Sequence, residues 1–180
     1  ALEQGLHGVC VASGRVAQAY AILGESEIKV TGLVGFPYGD QDADVKRFET
    51  EVAIDSDAHE IEVFLNHGHL KDGEDRRILR ELSDIVEAAD ERPVKAVVEM
   101  RLLPEGGLER VCKIIMDSGA QMICLGTGLN GRSGNSVEVD LVRARVGEAM
   151  GIKVGGIKDF SGCEDLVRAV VTRLGIVRIA

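Results

Sequence analysis

Short apolar runs alternate along the chain with segments whose apolar residues recur every three or four positions. Runs at 8–13 (GVCVAS), 28–36 (IKVTGLVGF), 60–66 (EIEVFLN), 94–100 (VKAVVEM), 121–127 (QMICLGT), 153–157 (KVGGI) and 176–179 (IVRI) have the length and branched content of buried strands. Between them, 16–23, 42–54, 75–89, 108–116, 139–150 and 163–174 carry helical spacing. The clearest is 75–89, where Ile78, Leu79, Leu82, Ile85, Val86 and Ala89 form one stripe and the opposite face is charged. Strict alternation of strands and helices predicts an α/β fold with a parallel sheet. No Pro- or Ser-rich linker interrupts it, so one domain is expected over 1–180. A doubly wound open sheet and a TIM-type (β/α)8 barrel both fit this alternation. No G-x-G-x-x-G follows the first run, and seven unit starts in a row favour the barrel.

Parallel strands are covered on both faces and read as continuous apolar runs, so polar residues inside them carry information. Side chains alternate faces, and parity therefore sorts them. In 60–66 the set Glu60, Glu62, Phe64 and Asn66 lies opposite the apolar set Ile61, Val63 and Leu65, which is expected to face the helices; Glu62 and Asn66 then point into the barrel. The same argument puts Lys95 and Glu99 on the inner face of the next strand, then Cys124 with Met122 and Gly126, then Lys153 with Gly155. Four successive strands thus offer ionisable or nucleophilic groups to one interior, where a buried charge is costly unless paired or used. Lys95 and Glu99 could also be a structural ion pair. Cys10, Cys112 and Cys163 are read as packing residues, and His7 and His59 as surface residues. Glycines after the inner residues, Gly128 beside Thr127 and Gly155-Gly156 past Lys153, could let backbone N–H groups cradle a phosphate or could simply make tight turns.

Composition narrows the function. The formal net charge of −9 makes nucleic acid a poor partner, and an aromatic content of 3% without Trp supplies few stacking platforms. No apolar stretch approaches the ~18 residues a membrane span needs. The first residues show no signal-peptide pattern, and four cysteines without a C-x-x-C pair suit reduced thiols, so a cytoplasmic location is expected. The His67-x-His69 pair near Glu62 could ligate a metal, but without a third ligand at known spacing no metal or cofactor is assigned.

Taken in order, Gly8-Val9-Cys10-Val11, Val34-Gly35-Phe36-Pro37-Tyr38-Gly39, the stretch from Lys46 to Ala53, Glu60-Ile61-Glu62 with Asn66, and Val94-Lys95 with Glu99 resemble the deoxyribose-phosphate aldolase family. The resemblance continues through Gly119-Ala120, Thr127-Gly128, Val137-Glu138-Val139, Gly151-Ile152-Lys153 with Gly155-Gly156-Ile157, and Arg178-Ile179. It implies a (β/α)8 barrel, a small carbonyl or sugar-phosphate substrate, no cofactor and a homodimer. It also implies imine chemistry on a lysine, tuned by a second lysine and helped by an acid. The second lysine falls on Lys153 and the acid on Glu62, one methylene longer than the family's Asp. The imine lysine falls on Cys124, and a thiol cannot form an imine. One residue is also missing between Lys153 and Gly155-Gly156.

Two readings follow. In the first, the protein is a divergent carbon–carbon lyase with Lys153 as the imine amine, Glu62 as acid/base and Cys124 as pocket wall. Thr127, Gly128, Gly155, Gly156 and Asn66 would then hold the substrate and its phosphate. In the second, it is a descendant that binds, regulates or catalyses without an imine. Against the family pattern the chain lacks the first strand and the final loop and helix, so a fragment of a longer protein is expected.

Overall fold

The computed structural model describes residues 1–24, 26–129, 132–158 and 163–177. Seven strands, β1 (Gly8–Ala12), β2 (Lys29–Val34), β3 (Glu60–Phe64), β4 (Val94–Val98), β5 (Met122–Leu125), β6 (Gly151–Ile157) and β7 (Arg173–Ile176), form one sheet in chain order. Every pairing is parallel. The connections carry α1 (Val16–Leu23), α2 (Ala43–Asp55), α3 (His67–Lys71), α4 (Asp75–Ala88), α5 (Gly107–Ser118), α6 (Ser136–Val146) and α7 (Glu164–Arg168). The sheet curls about an interior, because Lys153 on β6 reaches Cys10 on β1 and Arg173 on β7 reaches Glu60 on β3. This is the wall of a TIM-type barrel, with β1 and β7 at its two edges.

Parity decides the layers. Ile61, Val63, Val94, Ala96, Ile123, Leu125, Ile152 and Val154 face outward and pack with Ile78, Leu82, Ile85, Ile115, Val139 and Val142 of the helices. Each fully buried aliphatic side chain contributes roughly 1.5–3 kcal/mol, so this layer dominates stability. The inner face holds only a small apolar cluster of Phe64, Val97 and Cys124 with Leu33 against it. The rest of the interior is polar. Local signals set the helix starts: Asp42 caps α2 by accepting from Asp44 N, and Asn135 and Glu138 form a reciprocal capping box at α6. Among the described residues no helix is long and apolar enough to cross a membrane.

The last unit departs from the sequence expectation. The apolar spacing of 163–174 predicts one long helix, but α7 stops at Arg168 and Val170 takes a positive φ of 57°. Residues from Thr172 onward instead pair with β6: Thr172 N donates to Ile152 O at 2.7 Å and Ile152 N donates to Thr172 Oγ1 at 3.0 Å. Strand pairing thus outweighs helical spacing, and β7 begins at Arg173 rather than Ile176. The Arg178-Ile179 motif lies outside the described residues. Two smaller differences concern helices: residues 67–71 form α3, outside the predicted helical segments, and α6 spans Ser136–Val146 instead of 139–150.

Candidate active site

The inward residues of β1, β3, β4, β5 and β6 meet at one point. Lys153 Nζ lies 2.5 Å from Glu62 Oε2 and 3.3 Å from Cys10 Sγ. The Cys124 thiol donates to Glu62 Oε1 at 3.7 Å, and Lys95 Nζ stands 3.7 Å from Glu62 Oε2. Register explains the gathering: Glu62 pairs with Lys95 across β3 and β4, and Cys124 pairs with Lys153 across β5 and β6. All four side chains are buried, whereas Cys10 is exposed and so opens the cluster toward solvent.

Electrostatics oppose burial here. Burial disfavours a charged Glu62, yet Lys153 and Lys95 hold its carboxyl below the usual range. Burial likewise disfavours a charged Lys153, but the Glu62 carboxylate in direct contact raises its proton affinity. Burial, reinforced by the Glu62 charge, pushes the Cys124 thiol well above its ordinary value, so it remains a neutral wall. The resting site is therefore an ammonium–carboxylate pair with a thiol on either side.

No protein-family model matches the chain. A deoxyribose-phosphate aldolase of Alkaliphilus oremlandii is 33% identical over 177 residues, covering 97% of this chain and 80% of that relative. The chain belongs to the deoxyribose-phosphate aldolase family. Solved structures agree: the aldolase QR15 superposes with a TM-score of 0.90 at 27% identity over 97% of this chain and 78% of its own. The tetrameric deoxyribose phosphate aldolase of Aeropyrum pernix, 24% identical, shares the fold with a TM-score of 0.83 over 96% of this chain and 74% of its own.

Within this aldolase-family frame the other sequence candidates separate. Asn66 caps α3, its Oδ1 accepting from His69 N at 3.0 Å. Thr127 is held by Glu99, whose Oε1 accepts from Thr127 N at 2.8 Å and from Thr127 Oγ1 at 2.5 Å. Lys95 and Glu99 accordingly do not pair with each other: Lys95 turns to Glu60 and Glu62. Gly126, Gly128, Gly155 and Gly156 lie in backbone contact where β5 and β6 end, so close that a Cβ on Gly155 would collide with Gly126 O. Their glycine identity follows from that approach. His67, His69 and Glu62 do not converge on a metal: His67 Nε2 accepts from Glu99 N at 3.2 Å, and His69 Nε2 stands 3.7 Å from Glu74. His59 is half-buried, its Nδ1 accepting from Val30 N at 3.0 Å.

Three participants escape the sequence reading. Cys10, taken as packing, faces Lys153; parity within Gly8–Ala12 could have placed it inward with Ala12. Glu60 shares the inner parity of Glu62 and is buried, with its carboxyl held down to about 2 against burial by Arg173 and Lys95. Arg173 has no sequence signal because the helical reading covers it.

Proposed function

We propose that the protein is a cytoplasmic, self-associating lyase that makes or breaks a carbon–carbon bond of a small aldehyde or sugar phosphate through an imine on Lys153. The observation that carries this reading is the 2.5 Å Lys153–Glu62 contact inside an aldolase-family barrel. A protonated amine cannot attack a carbonyl; the resting charges favour the ammonium, and the contact gives the route to the scarce neutral pair. Glu62 takes a proton from Lys153 Nζ, and the freed amine adds to the carbonyl carbon to form the C–N bond. Glu62 then returns its proton to the carbinolamine oxygen, which leaves as water. In cleavage the same carboxylate removes the proton of the β-hydroxyl. The C–C bond breaks with its electron pair moving into the iminium to give an enamine, Glu62 delivers its proton to the enamine carbon, and water hydrolyses the resulting imine.

The neutral Cys124 thiol shapes the pocket where the family carries its lysine. Thr127, Gly128, Gly155 and Gly156 border the mouth on which a phosphate would rest, and Asn66 caps the adjoining α3.

Borohydride with acetaldehyde or 2-deoxyribose 5-phosphate should trap one adduct per chain, on the peptide carrying Lys153, and Lys153→Ala should abolish it. No adduct with any small aldehyde, or an adduct that persists in Lys153→Ala, would overturn the reading in favour of a family member working without an imine.

A further inference from the structure

Glu62 is shared unequally between two cations. Lys153 Nζ is 2.5 Å from Oε2, and Lys95 Nζ is 3.7 Å from the same oxygen. Lys95 leans the other way, to within 2.8 Å of Glu60 Oε2, and also donates to Thr31 Oγ1 at 3.2 Å. Glu60 is gripped from below: Arg173 Nη1 donates to its two oxygens at 2.5 and 2.7 Å, and Thr31 Oγ1 donates at 3.1 Å. His7 Nε2 stands 4.0 Å away. Strand geometry builds the series, since Glu60 and Glu62 are one pleat step apart on β3, and Arg173 of β7 is in register with Lys153 of β6. Charges alternate along Lys153, Glu62, Lys95, Glu60 and Arg173.

We propose that Glu60 is a positioning residue: by holding Lys95 against its own carboxylate it keeps Lys95 off Glu62 and leaves that carboxylate to Lys153. Glu60 touches none of the reacting atoms and sets the proton affinity of Lys153 at one remove. The groups facing Lys153 are Glu62 from β3, Cys10 from β1 and Cys124 from β5, with Lys95 of β4 behind Glu62. Of these, Lys95 is the one whose position depends on Glu60. The importance of this for turnover rests on Lys153 being the imine-forming amine; the charge coupling itself does not.

Replacing Glu60 by Gln keeps the shape and removes the charge. Lys95 then moves to Glu62 and competes for Oε2, and Lys153 gives up its proton more readily. Arg173→Gln acts oppositely, because Glu60 then draws Lys95 more strongly. The readout is the rate at which acetic anhydride acetylates Lys153 at about pH 9, followed by mass spectrometry of the folded protein, since only the neutral amine reacts. Glu60→Gln should raise that rate about tenfold, one unit of proton affinity, and Arg173→Gln should lower it about threefold.

Unchanged rates, or shifts of the same sign, overturn the proposal, as does a loss of thermal stability with the rates unmoved. If Glu60→Gln does not fold, the sign of the Arg173→Gln change decides alone. Borohydride trapping on the wild-type protein separates the two ideas: without it the imine reading falls, while the anhydride rates still judge Glu60.

Discussion

Two buried lysines in this molecule contact a glutamate at nearly the same distance and behave oppositely. Lys46 lies between the sheet and the helices, fully buried, 2.7 Å from Glu81 Oε1 and 2.9 Å from Phe64 O. Burial lowers its proton affinity despite Glu81, Asp40 and Glu49, and burial raises that of Glu81 despite Lys46, so the pair drifts toward neutrality. Lys153 and Glu62, 2.5 Å apart on the other side of the sheet, are driven further into charge. Distance therefore does not decide the state of a buried pair; its company does. Glu62 has a second cation within reach, and that cation has its own anion. The outer pair is set in the apolar layer and mainly holds α2 to α4.

The comparison can be broken by removing one lysine at a time. Lys46→Ala strands Glu81, which is 3% exposed, and should lower stability in urea by about 3–5 kcal/mol. The double replacement Lys46→Met with Glu81→Leu should recover most of it. A loss below about 1 kcal/mol in the single variant would mean that the outer pair is not a structural clamp.

Acid tests the inner series. The Glu60 carboxyl falls to about 2 in the folded state from 4.5, so its stabilisation is complete above the unfolded value and drains away as pH falls toward about 2. Circular dichroism should show roughly 2–3 kcal/mol lost across that interval in the wild type and a flatter profile in Glu60→Gln. The smallest effect is expected where the chemistry is largest. Lys153→Ala leaves Glu62 with Lys95, so it should cost only about 1–2 kcal/mol of stability while removing all trapping. A cost equal to that of Lys46→Ala would erase the distinction between the two pairs.

Parity within strands was the most legible signal. It put Glu62, Lys95, Cys124 and Lys153 in one interior from their positions against Ile61, Val94, Ile123 and Ile152 alone. It could equally have admitted Cys10, which fell aside because a short thiol reads as packing, and Glu60, which shares the parity of Glu62. The final unit was illegible for a different reason. Val167, Val171 and Leu174 suit a helix locally, and only the exposed edge of β6 turns 173–176 into a strand. Residue partners across the interior, such as Glu60 with Arg173 or Thr127 with Glu99, depend on curvature and have no counterpart in spacing along the chain.

The backbone contact of Gly126 and Gly128 with Gly155 and Gly156 has a consequence for motion. With no side chain between them, the turn after β5 and the Gly155-Gly156 stretch of β6 have no slack in which one could shift while the other stayed. Cys124 lies two residues before Gly126, and Lys153 two before Gly155. Any breathing that widens the mouth over Cys124 must therefore carry the Lys153 strand with it, so opening is a concerted displacement of two strand ends and not the flicker of a single loop.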